Sequence, residues 1–450
     1  MSSTVKLKKG FDLRIKGIAE KKFAVEIQSV RYAVKPVDFP CLIPKLAVKS
    51  GDKVKAGAPL FIDKLRPEIR FTSPVSGTVT SVERGDRRKL LEVVVEKDGN
   101  EFVDFGKADP SKLTREQIKE HLLASGLWPA VRQRPYHIIA RPQDVPKAIF
   151  ISGFNTAPLA PDYNFIMDNS SSSSFQAGIS ALTKLTDGKV NLILNGKGEA
   201  SVSLKSSTGV EISYFSGPHP AGNVGVHIHH LNPINKGEIV WIINLQDVLA
   251  IGRLFEEGIY KHERIVALTG SEVLHPQYYK IISGASVTGM VKDNVKEGLL
   301  RFISGNVLTG TKIEANGFLG FYDSQVTVIP EGDYYEFFGW VMPGLNKFSF
   351  SKTFASSLIP KKSYNLDTNM HGEERAFVMT GKYEQVVPMD IYPMQLLKAI
   401  LAQDVDLMEN LGIYEIAEED FALCEFICPS KIEIQSIVRQ GLDLMIKEMS

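Results

Sequence analysis

Between Val48 and Val79 the chain is cut by glycine into pieces suited to short strands. It reads Val48-Lys-Ser-Gly51-Asp52-Lys-Val54-Lys-Ala-Gly57-Ala-Pro59-Leu60 and then Ser73-Pro74-Val-Ser-Gly77-Thr-Val79. Two hairpin turns flanking a strand account for this pattern, with Gly51, Gly57 and Gly77 at the positive-φ positions such turns require. The same reading extends over residues 5 to about 105. Alternating runs such as Val5-Lys6-Leu7 and 90–95 lie between the turn signals Ser50-Gly51-Asp52 and Asp98-Gly99-Asn100.

Downstream the periodicity changes. Residues 111–125 place Leu113, Ile118, Leu122 and Leu123 on one helical face. Residues 147 to about 270 read as α/β: the runs 148–151, 190–194, 239–243 and 264–268 resemble buried strands, with 246–257 as a crossover helix between the last two. Residues 280–345 return to short, glycine-rich strands, and from Met389 the chain is helical, most clearly over 395–403 and 434–449. The serine run 170–174 reads as a solvated loop. The fold class expected is a multidomain α/β protein. Its parts are a β domain (1–105), an α/β domain (106–258), a small β-rich domain (259–345) and a mostly helical domain (346–450).

Composition removes several function classes. Lys+Arg and Asp+Glu balance at 52 each, so no global field favours nucleic acid or an anionic membrane surface. The most apolar run, 239–252, is interrupted by Asn244, Gln246 and Asp247, well short of the roughly 20 apolar residues a membrane span requires. Residues 1–10 carry Lys6, Lys8 and Lys9 and lack the apolar stretch of a signal peptide. Three cysteines, Cys41, Cys424 and Cys428, are too few for a disulfide framework, so a cytoplasmic protein is expected.

Candidate chemistry is sparse. The glycine-rich β region resembles the small β-sandwich of biotinyl and lipoyl carrier domains, in which an exposed hairpin lysine carries the swinging arm. Lys64 is the one candidate, yet it lies ten residues before Pro74, and Pro67 interrupts the turn. A structural role is the preferred reading, with a carrier protein using Lys64 as the alternative function. Gly196-Lys-Gly198-Glu-Ala-Ser201 follows a good strand, but a serine replaces the third glycine. The continuation 202–209 reads as strand and turn, a simple hairpin without the helix N-terminus that would hold a pyrophosphate. Cys424-Glu-Phe-Ile-Cys428-Pro429 matches half of a ferredoxin cluster motif, while the upstream ligand positions hold Glu418 and Phe421, so no cluster is expected. Ser283-Gly-Ala-Ser286 departs from the flavinylation signature it approaches. The segment Phe215-Ser-Gly-Pro-His219 through His227-Ile-His229-His230 reads as an ordered loop. If 227–229 is extended, His227 and His229 face one way and cement a contact, with no cysteine or carboxylate nearby to complete a metal site.

Six ordered matches cover nearly the whole chain: Lys8-Lys-Gly-Phe-Asp-Leu; Phe71-Thr-Ser-Pro-Val-Ser-Gly; Gly126-Leu-Trp-Pro-Ala-Val-Arg-Gln-Arg-Pro-Tyr136; 215–229; Phe337-Phe-Gly-Trp-Val-Met-Pro-Gly; and Ala422-Leu-Cys-Glu-Phe-Ile-Cys-Pro-Ser-Lys431. Together they resemble the A-subunit family of Na+-translocating NADH:quinone oxidoreductases (Na+-NQR), with RnfC as cousin. The resemblance implies a lipoyl/biotinyl-like β-sandwich, a Rossmann-like domain related to the flavin subunit of respiratory complex I, a small soluble-ligand-binding-type β domain, and helices. The glycine-rich flavin loop of those relatives reads Gly126-Leu-Trp128-Pro129 here, where bulky residues would obstruct a phosphate. The implied function is that of a peripheral subunit on the cytoplasmic side of the bacterial inner membrane, held to membrane subunits by protein contacts and without a covalent lipid anchor. The complex would use NAD(H), flavins, iron–sulfur and quinone, and this chain would bind no redox cofactor of its own. A quinone contact is expected at Trp128, Arg132, Arg134, Tyr136 and Phe39, and an interface loop at His219, His227 and His229.

Overall fold

The computed structural model describes residues 3–25, 29–339 and 341–449; Trp340 of the 337–344 match lies outside them. The glycine-punctuated N-terminal region forms two facing sheets. One is ordered Arg31–Val34, Leu90–Lys97, Gly77–Arg84, Lys53–Val54, and the other Pro44–Leu46, Pro59–Asp63, Arg70–Thr72. Inward alternation buries Leu60, Phe61, Phe71, Val79, Val93 and Val95 between them. Gly51 and Gly57 adopt φ of 93° and 90° as the turns require. Gly77 does not. It is needed for space, since a Cβ there would stand 1.9 Å from the Glu96 carbonyl.

A seven-stranded sheet forms the centre, in the order Thr4–Lys6, Glu211–Ser216, Lys189–Asn195, Ala148–Ser152, Val240–Asn244, Arg132–Arg134, Ile138–Ile139. The first five strands are parallel, and Arg132–Arg134 pairs antiparallel with both of its neighbours, Val240–Asn244 and Ile138–Ile139. The N-terminal strand therefore belongs to this sheet and not to the β domain that follows it in sequence. Both faces are covered, which explains the nearly continuous apolar strands. Ile149, Ile151, Leu192 and Trp241 face the helices Ser172–Leu185 and Leu245–Glu257, while Phe150, Ile193, Val240 and Ile242 share a core with the C-terminal helices. The first two helices cross closely because Gly178 and Gly252 have no side chain to hold them apart; a Cβ at Gly252 would lie 1.7 Å from the Ser174 carbonyl.

Three expectations fail here. Residues 172–174 are not loop: Ser171 caps the helix that they begin by accepting the Ser174 N–H. The strands flanking Gly196 run parallel, so the segment is a crossover with a one-turn helix at Val202–Lys205 and not a hairpin. Finally, Leu245–Glu257 does not connect two strands of one sheet. The strand after it, Glu263–Thr269, enters a separate five-stranded sheet ordered Gln277–Ile282, Glu263–Thr269, Gln325–Pro330, Leu300–Ser304, Thr311–Ile313. From Glu331 to Tyr392 the described residues form neither strand nor α-helix, and the C-terminal helices proper are Pro393–Ala402, Val405–Asn410, Ala422–Ile427 and Ile434–Met449.

Candidate functional site

In a doubly wound sheet the chain reverses its direction of winding between two neighbouring strands, and the loops at their carboxyl ends part to leave a crevice. Here the chain leaves Ala148–Ser152 toward Lys189–Asn195 on one side and returns to Val240–Asn244 on the other. Asn155 and Asn244, at the carboxyl ends of those two strands, line a cavity of about 330 Å³. All four parts of the chain supply its walls: Asp38 and Pro40 from the β domain, Arg132, His137 and Tyr163 from the α/β domain, Tyr322 to Gln325 from the second sheet, and Glu418, Glu419 and Gln435 from the C-terminal region.

Arg132 is the central cation. Its guanidinium lies 4.4 Å from the centre of the Tyr322 ring, whose hydroxyl donates to the Pro129 carbonyl at 2.7 Å. One arm donates to His137 Nε2 at 2.6 Å and the other to Asn244 Oδ1 at 3.3 Å. Because Nε2 accepts from Arg132, the His137 proton sits on Nδ1, 3.3 Å from Glu418 Oε2. Burial, reinforced by the Arg132 charge, pushes the His137 pKa down. Burial acts to raise Glu418, but the His137 hydrogen bond and the Arg439 charge hold it at about 2. Asp38 is pushed up to about 6 by burial, against the nearby Lys35 ammonium and the Phe321 N–H at 2.9 Å. The lining thus holds one arginine and four carboxylates, Asp38, Asp323, Glu418 and Glu419, of which Asp38, Glu418 and Glu419 are paired from behind by Lys35, Arg439 and Arg134.

The description "NqrA N-terminal barrel-sandwich hybrid domain" matches residues 5–98, "NqrA second alpha/beta domain" residues 113–260, and "NQRA C-terminal domain" residues 265–315. The A-subunit of the Na(+)-translocating NADH-quinone reductase of Yersinia pseudotuberculosis is 42% identical over 448 residues, covering 99% of this chain and all of that one. The chain belongs to this NqrA family. The Klebsiella pneumoniae member is also 42% identical over 448 residues, and that of Rhodopirellula baltica is 39% identical over 453 residues, covering 99% of each chain.

Within this NqrA fold the residues singled out from sequence divide sharply. Arg132 lines the cavity. Phe39 is buried behind it, its ring 5.7 Å from Tyr322 and 4.6 Å from Phe71. Trp128 is fully buried, donating to the Ala140 carbonyl at 2.8 Å and meeting Trp241 edge-on, so it forms core and not a cavity wall. Arg134 is likewise fully buried, with Asp420 at 2.8 Å and Glu419 at 2.9 Å. Tyr136 packs edge-on against Tyr414. The segment Val224–Leu231 is helical, so the extended geometry expected of His227 and His229 is wrong and the two rings diverge. His227 donates to the Ala221 carbonyl and packs on Phe215. His229 lies 2.6 Å from Glu415 and accepts the Asp390 N–H. His219 is buried beside Thr156. Lys64 is exposed in the turn between Pro59–Asp63 and Arg70–Thr72. Cys424 and Cys428 are buried, and the Tyr383 hydroxyl donates to Cys428 Sγ at 2.9 Å. Among the described residues no group of three or more metal-binding side chains converges.

The cavity itself carries little sequence signal. Asn244 is legible as the first polar residue after a buried strand. Asp38, Tyr322 and Glu418 have no local signal, because their role depends on how distant segments meet.

Proposed function

We propose that this chain is the peripheral, redox-inactive subunit of a sodium-pumping NADH:quinone reductase, attached to membrane subunits through protein contacts on the cytoplasmic side. We further propose that it accommodates quinone at the switch-point cavity. No helix among the described residues is long and apolar enough to cross a membrane, which agrees with attachment through other subunits. The observation that carries the quinone reading is the pairing of Arg132 with the Tyr322 ring inside a cavity otherwise dominated by carboxylates. A pyrophosphate or flavin phosphate brought there would face the carboxylates of Asp38, Asp323, Glu418 and Glu419, and of the cations nearby Arg132 alone stands in the lining, since Lys35, Arg134 and Arg439 are engaged by Asp38, Glu419 and Glu418. The backbone that would cradle it is also filled: Trp128 is fully buried and the Pro129 carbonyl accepts from Tyr322. The residues present therefore do not fit a flavin or dinucleotide, and no redox step is assigned to this chain.

A quinone head is neutral and flat, and needs aromatic walls and one or two donors for its carbonyl oxygens. Tyr322 and Tyr163 supply walls. Arg132 keeps N–H groups beyond those given to His137 and Asn244, and its charge favours the negative charge that grows on oxygen during reduction. With Arg132→Ala in the assembled complex, quinone turnover should fall roughly ten- to a hundredfold, as expected for losing one charged hydrogen bond of about 1.5–3 kcal/mol. NADH oxidation with artificial acceptors should persist. Wild-type quinone kinetics in an intact variant complex would remove the cavity from consideration.

A further inference from the structure

The segment from Glu331 to Lys382 has no strand or α-helix among its described residues, a length of irregular chain that usually signals a function. It is nevertheless built. Glu331 receives Arg301 through two hydrogen bonds of 2.7 and 2.8 Å and also takes the Thr368 hydroxyl. The Gly332 N–H donates to the Thr368 hydroxyl, the Tyr334 hydroxyl donates to Asp367 at 2.6 Å, and Asn369 donates to the Tyr334 carbonyl at 2.7 Å. Further on, Phe348 packs on Phe11 and Phe426, and the Ala355 N–H donates to the Pro343 carbonyl. The base of the loop is therefore fixed to two parts of the molecule.

Its tip is the reverse of a normal surface. Among the described residues between 334 and 345, seven large apolar or aromatic ones are exposed, with Tyr335 and Phe337 the most open at 105% and 89%. Glu336 in the tip pairs with Lys347 just beyond it, and Lys347 also donates to the Gly339 carbonyl. The tip thus presents aromatic and methionine side chains while its charges are spent internally. Patches of that composition mark protein interfaces.

We infer that the tip, described over 334–339 and 341–345, is the docking surface of this chain, seated in an apolar groove of a membrane-embedded partner subunit. The inference rests on the assembly reading given under Proposed function and names the surface that performs it. Charge selects the occupant: the segment 331–382 carries six Lys or Arg and six Asp or Glu, so it has no basic excess to hold anionic lipid headgroups. An aromatic tip whose one carboxylate, Glu336, is paired with Lys347 suits, on a fixed base, a preformed protein groove. Of the interface residues expected from the sequence, His219 and His227 are buried, and His229 is engaged by Glu415 and the Asp390 N–H.

The test uses the full chain and membranes that contain the other subunits but lack this one. The wild-type chain should be retained by these membranes and not by protein-free vesicles of phosphatidylethanolamine and phosphatidylglycerol. A Phe337→Ser/Met342→Ser variant should lose about tenfold or more of that retention with an unchanged melting temperature. A Val202→Ser control, exposed on the α/β domain, should bind as wild type. If the wild-type chain fails on partner membranes, the assembly reading itself falls. If wild type and the double variant bind equally, assembly stands and the tip is not its surface. Equal binding to vesicles would make lipid the occupant, and a chain–chain dimer abolished by the double variant, with membrane retention intact, would make it a second copy; either overturns the inference.

Discussion

Replacing Arg134 with methionine is expected to destabilise the folded chain by about 3–5 kcal/mol, the cost of stranding a buried charge. Arg134 is fully buried and joins the edge of the central sheet to the C-terminal region. It donates to Asp420 and Glu419 and, at 3.2 Å, to the Glu415 carbonyl. Asp420 is itself only 3% exposed and also accepts the Ala417 N–H at 2.9 Å. Burial pushes the Asp420 pKa up even with Arg134 in place, so removing the arginine leaves the carboxylate without its main compensation. The measurement is urea unfolding of R134M, D420N and the double variant. D420N keeps an oxygen for the Ala417 N–H and removes the charge, so in the R134M background it should recover about 1–3 kcal/mol. Strict additivity of the two single effects would mean that the pair is not coupled and that the brace is packing alone.

Arg134 and Arg132 also show what the sequence could and could not reveal. Both stand in Gly126–Tyr136, a segment whose arginines and aromatics suggest a ligand contact. They share one face of their strand, two residues apart, yet Arg132 reaches the cavity and Arg134 the seam with the C-terminal region. Nothing in the local sequence says which of the two has the cavity before it. The apolar run at 264–268 is legible as a strand, but its parallel partner lies at Gln325–Pro330. A run's composition does not encode which sheet it joins. In His227-Ile-His229, neighbouring glycine and proline suggest extended chain, yet the turn ends at Asn223 and the apolar spacing of Val224, Ile228 and Leu231 makes one helical turn after another. Where local spacing decides the outcome, as in the turns at Gly51 and Gly57 and the terminal helix Ile434–Met449, the sequence is enough.

Acid should destabilise the chain well above the range of ordinary carboxylate titration, because burial holds down the pKa of several histidines: His137, His230 and His262 are lowered, and His219 and His227 are lowered to about 4. Burial lowers His219 from 6.5 to about 4 and His227 from 6.5 to about 4. His219 has Thr156 beside its ring, Asp12 accepting its backbone N–H and the Glu419 charge nearby. His227 is bounded by the Ala221 carbonyl, the Phe215 and Phe154 rings, His230 and, farther off, Glu419. Above pH 6.5 both are neutral whether the chain is folded or not, and their burial carries no titration cost. As pH falls from 6.5 to 4 the unfolded chain takes up protons that the folded chain refuses, so stability falls across that window. At about 1.4 kcal/mol per pKa unit, each histidine removes roughly 3 kcal/mol. Asp38 works the other way: held at about 6 when folded against 3.8 unfolded, it is relieved of its buried charge as pH falls, returning a similar amount for one group against two. Glu418, at about 2, extends the loss below its unfolded value of 4.5. Urea midpoints measured at about pH 7.5, 6.5, 5.5 and 4.5 should therefore decline steeply below the unfolded histidine value. In a His219→Asn/His227→Gln variant, the amides can replace Nδ1 beside Thr156 and the Nε2 donor to Ala221. Its starting stability can be lower, but the decline through the same acid window should be much shallower. A decline as steep as in the wild type would assign the acid sensitivity to other groups.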